Sequence, residues 1–353
     1  MAANFWESTQ RKHWQFTKDE LAAMRQKLED EDPNLVQMYP LPHLRHLNIY
    51  FNQQINRLGK RLGVRQQPMA TAQLYTKRFY TKVEIRRTNP YLLMATAVYL
   101  ACKMEECPQH IRLVAGEARS LWPNEIQNID TGKVGECEFF LISEMNSHLI
   151  IHQPYRTLTT LQGDFGLTPD ETALAWSIIN DHYMTDLPLL YPPHIIALTA
   201  MILALVLRPG VNNGGQGAGA NSAGSLAAAS AVLAQAQARA AITGGNGDGS
   251  GRSGSATPSL TSQTSAESPA MQLSGMHPGF QRANDSGMAS KKAPDDRLNK
   301  ITRFAEWIAE SNVDIEAMVD CTQELIAFYE CHEQYNDKHA REMINRFIKA
   351  RQL

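Results

Sequence analysis

Residues 70–101, ATAQLYTKRFYTKVEIRRTNPYLLMATAVYLA, overlie residues 173–204, ALAWSIINDHYMTDLPLLYPPHIIALTAMILA, at a constant offset of 103 and without a gap. Eight of the 32 positions are identical: Ala70/Ala173, Ala72/Ala175, Tyr80/Tyr183, Pro90/Pro193, Thr96/Thr199, Ala97/Ala200, Leu100/Leu203 and Ala101/Ala204. The identities alone are suggestive, and the shared layout adds weight. Each copy has a helical stretch, a connector ending in proline, and a helix rich in small residues, MATAVYLA in the first and ALTAMILA in the second. Small residues on a central helix let its neighbours approach closely. The pattern predicts two copies of one helical bundle of about 100 residues, an ordinary domain size.

Helix signals extend beyond the repeat. Thr17 to Glu20 form a capping box ahead of Leu21, Met24 and Leu28. Asn89-Pro90 offers an N-cap followed by proline at the first helical position. Thr168-Pro169-Asp170-Glu171 combines both devices, and Asp296 and Asn312 are expected to cap two later helices. Alternating strand patterns are absent, so the fold class expected is all-α.

The chain has 353 residues, 43% of them apolar, a formal net charge of −2 and a pI near 6.6. Near-neutral charge argues against a general nucleic-acid binder or a membrane-surface protein. Five scattered cysteines, at 102, 107, 137, 321 and 331, make no disulfide framework and suit a reducing compartment. The opening MAANFWESTQRKHW lacks the apolar core of a secretory signal. The longest apolar run, Ile195 to Leu207, is too short to span a bilayer and is expected to be a buried core helix. A soluble, intracellular protein is the expectation.

Residues 208–295 differ from the rest. They are rich in Gly, Ser, Asn and Ala, nearly free of aromatics, and expected to form a disordered insertion. Thr257-Pro258 and Ser268-Pro269 within it are candidate sites for a proline-directed kinase, although ordinary turn composition accounts for them equally well.

Tyr99 to Pro108, YLACKMEECP, contains the residues that most invite a functional reading. Zinc takes four ligands, usually as closely spaced pairs, and no second pair follows Cys102 and Cys107. Cys102 lies beside the apolar stripe Leu93, Ala97, Leu100, Met104 and suits a core. No metal, cofactor or catalytic motif is expected, and no G-x-S-x-G, phosphate-cradling loop or H-E-x-x-H occurs. Glu105 and Glu106 sit at a helix C-terminus, where the dipole disfavours negative charge, and Pro108 stops the helix. Such a placement hints at a partner, although solvated surface is the blander alternative. The aromatic-dense FWESTQRKHWQF either packs a lone helix onto a domain or anchors a partner. Trp176, Asn180 and Asp181, at i, i+4 and i+5, share a helix face that is either core edge or an interaction groove.

Together these features resemble the cyclins, whose fold is two tandem five-helix boxes. LACKMEE (100–106) resembles the LASKxEE signature ending the third helix of the first box. GECEFFLISEMNSHL (135–149) resembles the fifth helix, whose early glutamate, here Glu138, is the second hallmark. ANFWESTQRKHW (3–14) and RQQPMATAQLYTKRFY (65–80) are similar to the cyclin C branch, which serves the Mediator-associated kinase in RNA polymerase II transcription. The resemblance covers about 1–207 and 297–353, with the insertion between the third and fourth helices of the second box.

The resemblance implies a helical extension over 1–40, boxes over 41–151 and 152–334, and a C-terminal helix over 335–353. It implies a nuclear, non-catalytic subunit that binds a cyclin-dependent kinase and other subunits of the Mediator kinase module, with no direct nucleic acid or membrane contact. Lys103 and Glu138 would face the kinase, with Glu105 and Glu106 contributing to that face or to its arginine-rich activation region. Trp6 would help dock the N-terminal helix that confers kinase specificity. Trp176, Asn180, Asp181 and Tyr329 would line a groove between the boxes for another Mediator subunit. The alternative is a cyclin-fold promoter-DNA binder of the general transcription factor IIB type, although its zinc ribbon and basic repeats are not seen here.

Two departures from cell-cycle cyclins stand out. Asn48 and Lys77 replace an internal Arg–Asp pair, both members changing as expected if changing only one strands a buried charge. LNIYF (Leu47 to Phe51) and Gln54 replace the M-R-A-I-L and Trp of the substrate-docking patch, which argues against recruitment through it.

Overall fold

Gly63 and Pro90, which bracket the second helix and connector of the first copy, recur as Gly166 and Pro193 in the second. The computed structural model describes residues 4–125, 130–207 and 293–353, and among these no β-strand occurs. Helices α1 (Thr9–His13), α2 (Lys18–Asp30) and α3 (Pro33–Met38) precede the first bundle. That bundle comprises α4 (Leu44–Arg61), α5 (Gln66–Phe79), α6 (Pro90–Met104), α7 (Ile111–Leu121) and α8 (Thr131–Glu144). The second comprises α9 (Tyr155–Leu161), α10 (Pro169–His182), the single turn α11 (Leu187–Leu190), α12 (Pro193–Leu207), α13 (Ala293–Glu310) and α14 (Ile315–Glu333). Helix α15 (Asp337–Arg351) closes the chain.

The bounds of α5 and α6 recur in α10 and α12 at the offset of 103. So does the turn before them. Gly63 and Gly166 take left-handed φ values of 64° and 59°, and Val64 and Leu167 each donate five residues back, to Gly59 and Gln162. Glycine suits this C-terminal motif because a Cβ is disfavoured at positive φ. The central helices are small-faced as expected: Ala95, Ala97 and Ala101 on α6, and Ala197, Ala200 and Ala204 on α12, are sealed in the two cores. Helix α12 is buried from Pro193 to Val206 apart from His194.

Capping boxes at Thr17/Glu20 and Thr168/Glu171 form, and Asn89 accepts from the amides of Tyr91 and Leu92 ahead of α6. Two expected caps are displaced. Helix α13 already begins at Ala293, so Asp296 lies inside its first turn and residues 293–295 belong to the helix rather than the insertion. Proline is tolerated in a first turn, which lets Pro294 sit there. Asn312 is passed over in favour of Asp314, which accepts from the Ala317 amide and starts α14. The rest of the insertion, with Thr257 and Ser268, lies outside the described residues.

Two contacts join distant parts of the chain. Ala340, Ile344, Phe347 and Ile348 of α15 return to the core of the first bundle. Leu21 of α2, Leu74 of α5 and Leu189 of α11 form a small cluster of their own. Beside this cluster Asp186 receives the Arg25 guanidinium through two bonds of 2.8 and 2.9 Å, and the Asn48 amide at 3.3 Å. Burial pushes the Asp186 carboxyl up, but Arg25, Lys77 and Asn48 outweigh it and hold it below the ordinary range.

The double replacement at Asn48 and Lys77 leaves a charge in the interior. Lys77 is buried and its Nζ meets no hydrogen-bonding partner. Desolvation lowers its pKa to about 8, against an ordinary 10.5, and the field of Asp186 opposes that fall.

Asp186→Ala removes the acceptor of the Arg25 fork and leaves two cations uncompensated. It is expected to cost about 3 kcal/mol, measured as a lowered urea midpoint. Lys77→Met is expected to stabilise the fold by about 1–2 kcal/mol at pH 7. Folded Lys77 titrates near 8 and the unfolded residue near 10.5, so the native state binds fewer protons between those values. Stability contributed by this group therefore rises with pH across that window. Urea titrations at pH 7.5 and 10 should show the rise in wild type and a smaller one in Lys77→Met.

Candidate partner-binding surface

Helix α6 is buried along most of its length and emerges only in its last turn. Cys102 is sealed in the core while Lys103 and Met104 reach solvent, so Met104 leaves the stripe to which its spacing assigned it. On α8, Val134, Glu138 and Leu141 fall at i, i+4 and i+7, and Val134 and Leu141 are buried. Glu138 is thereby carried to the margin of the face packed on α6. The Lys103 ammonium meets the Glu138 carboxylate there and lies 4.6 Å from the Tyr99 ring centroid. Side-chain exposures of 39% and 12% make this a half-open pair. Phe139, 76% exposed, follows Glu138, and Phe140 and Met104 add further exposed apolar surface. The arrangement offers both charge signs within an apolar surround, the composition that desolvated interface anchors use.

The two glutamates after Lys103 part company. Glu105 turns inward and accepts from the Thr71 hydroxyl at 2.6 Å and the Gln153 amide at 3.3 Å. These donors answer the unfavourable helix dipole internally and tie α6 to α5 and the inter-bundle linker. Glu106 remains exposed at φ 55°. It occupies the left-handed position that ends α6, where its amide donates to Lys103 and the Cys107 amide donates to Cys102.

The N-terminal aromatics divide in burial. Trp14 is 1% exposed, packs in the first core and donates its indole N–H to His148 Nδ1 at 3.2 Å. Trp6 is 52% exposed and leans on His194, with Arg11 against its face. Of the four residues expected to line a groove, Trp176 and Asn180 meet Tyr155, which the sequence reading missed because it lies outside the α10 periodicity. Its ring lies 4.5 Å from Trp176, its hydroxyl donates to Asn180 at 2.7 Å, and Gln66 donates to it from the first bundle. Tyr329 donates to Asp181 at 3.0 Å, which brings α14 to the same helix. Burial pushes the Asp181 carboxyl up, and the Tyr329 bond only partly counters it.

The stretch corresponding to the substrate-docking patch is covered. Leu47, Tyr50, Phe51 and Gln54 are buried. Tyr50 and Tyr91 share a hydroxyl–hydroxyl bond of 2.7 Å, Tyr91 donates to Asn345 of α15, and Gln54 accepts from the Trp122 indole. Among the described residues no group of three His, Cys, Asp or Glu side chains could hold a metal ion, and no helix is long and apolar enough to cross a membrane.

Residues 16–150 match the cyclin N-terminal domain. Along its whole length the chain is 67% identical to the RNA polymerase II holoenzyme cyclin-like subunit of Chaetomium globosum, covering 100% of that protein. It is 64% identical to the subunit of the same name from Neurospora crassa, again over 100% of this chain and 99% of that one. Among solved structures, a chain in the CAK complex of Chaetomium thermophilum bound to ATP-gamma-S aligns over 96% of this chain and 87% of its own. The TM-score is 0.49 and the identity 16%.

Glu106→Gly should relieve a left-handed backbone and remove a carboxylate from a helix C-terminus. The expected gain is about 0.5–1 kcal/mol, net of the greater freedom of glycine in the unfolded chain. Glu106→Ala keeps the strain and should gain less in the same thermal melts.

Proposed function

Because this chain belongs to the RNA polymerase II holoenzyme cyclin-like subunits, we propose that it is the non-catalytic regulatory subunit of a cyclin-dependent kinase. We assign that kinase to the Mediator kinase module, acting in the nucleus on RNA polymerase II transcription. The observation that carries the reading is the half-open Lys103–Glu138 pair with exposed Phe139, Phe140 and Met104 beside it.

A protein kinase is active when a lysine on its strand β3 pairs with a glutamate on its helix αC. A rigid helical face that binds only the inward position of αC shifts the population towards that state. In this reading the exposed phenylalanines supply the desolvating surround. Lys103 satisfies carbonyl or carboxylate oxygens of the kinase, and Glu138 accepts its N–H groups. Glu106, free of internal donors among the bonds described, is the better placed of the two glutamates to meet an arginine-rich segment. Trp6 contributes specificity from the N-terminal segment. Trp176, Asn180, Asp181 and Tyr329 form the groove for a second Mediator subunit. Substrates do not dock at the Tyr50 and Gln54 side of α4, because α15 and Trp122 cover it.

Lys103→Ala combined with Glu138→Ala removes both members and strands no charge, so the fold should survive. Kinase binding should weaken by about 2–5 kcal/mol, thirty-fold or more in Kd. Calorimetric titration of the purified kinase into the folded double variant checks this, and near-normal affinity would sink the assignment.

A further inference from the structure

A cleft of about 250 Å³ runs between α2 and the paired helices α4 and α5, away from the face formed by α6 and α8. Its apolar lining includes Leu47, Phe51, Ile55 and Val83. Lys77, Asn52 and Gln73 also line it, and all three are at least nine-tenths buried. Each carries a polar atom without a partner: Lys77 Nζ, Asn52 Oδ1 and Gln73 Oε1. The Asn52 amide cannot turn to cure this, because its nitrogen is committed to the carbonyls of Asn48 and Tyr183 at 2.7 and 2.8 Å. Gln73 likewise donates to Asn56 at 2.9 Å.

An ammonium and two carbonyl oxygens without hydrogen-bond partners beside one cleft are costly to keep, since each buried unsatisfied group costs about 1–3 kcal/mol. A methionine at position 77 would fill the same space without that cost. Pockets with a mainly apolar wall and a few convergent polar groups are the usual form of small-molecule sites, and this one lies below the roughly 300 Å³ floor of drug-sized ligands. We propose that the cleft binds a small carboxylic acid with an apolar body, its carboxylate on Lys77 and any hydroxyl or amide N–H on Asn52 and Gln73. The site is independent of the kinase-binding face and would operate in the free chain.

The ionisation of Lys77 sets the pH dependence. The groups acting on its charge are Arg25 on α2, Asp186 ahead of α11 and His182 at the end of α10, and Glu29, Glu84 and Arg86 also line the cleft, whereas α4 presents amides. His182 is pushed down to about 3 by burial and stays neutral. Lys77, titrating near 8, is charged below that pH and loses its hold on a carboxylate above it.

The test titrates 3-phenylpropionate into the full-length protein by calorimetry and by ligand-observed NMR. Saturable one-to-one binding is expected, about ten-fold weaker at pH 9 than at pH 7, and at least ten-fold weaker for the uncharged 3-phenylpropan-1-ol. Lys77→Met should lose ten-fold or more in affinity while its thermal melt shows a folded protein. Ala22→Trp, which fills the cleft mouth from the exposed side of α2, should abolish binding by a route that does not touch the interior. Equal binding by Lys77→Met or by the alcohol would overturn the proposal. So would the absence of saturable binding, which would leave the cleft to water.

Discussion

A helix buried on every face depends on the rest of the chain to partner the polar groups it carries, and α5 is such a helix. Every residue from Pro68 to Phe79 is buried, although the segment includes Thr71, Gln73, Thr76, Lys77 and Arg78. Its own backbone can satisfy only a threonine hydroxyl, as Thr76 shows by bonding to Ala72. Several of the others are answered from elsewhere in the chain, while Lys77 Nζ and Gln73 Oε1 find no hydrogen-bonding partner. Arg78 donates to the His148 carbonyl at 2.8 Å and lies 5.0 Å from the Trp14 ring centroid. It has no carboxylate, and burial brings its pKa down to about 9. Tyr75 donates to Leu149, and Thr71 to Glu105. The N-terminal segment, the inter-bundle linker and the end of α6 are thus held in place by the needs of one helix.

This dependence reaches the partner-binding surface. Lys103 stands where the last turn of α6 leaves the core, and that turn is fixed by Glu105 reaching back to Thr71 and Gln153. Of the two glutamates at the end of α6, Glu105 is therefore the one committed to positioning. Helix α15 acts comparably at the other side of the first bundle. By placing Ile344 and Phe347 in that core, it closes the face of α4 and leaves the end of α6 and the exposed side of α8 as the open apolar surface with charges of both signs.

Much of the scaffold was legible because it depends on local chemistry. The capping boxes at Thr17 and Thr168, the Asn89-Pro90 start and the offset between α5–α6 and α10–α12 follow from backbone preferences that a few neighbouring residues satisfy. The misplaced cap at Asn312 belongs to the same class: Asp314 is an equally good cap two residues on, and the register of α14 against the second core selects it. Tyr155 and Phe139 were not legible. One gains its place through contacts with α5 and α10, and the other stands out only because nothing in the fold covers it.

The sequence by itself determined the helices, their ends, the duplication and the kinship, all of which rest on interactions within a turn or two or on residue identities in order. Only the tertiary structure decided which charges are spent inside and which stay open to solvent. Lys77 and Lys103 are both lysines near the ends of helices in the first bundle, yet one is entombed beside Asp186 and the other sits half-open against Glu138. The difference lies in what packs over each side chain. Burial sets the desolvation of a charge and its distance to counter-charges, and both depend on segments more than thirty residues away in the chain.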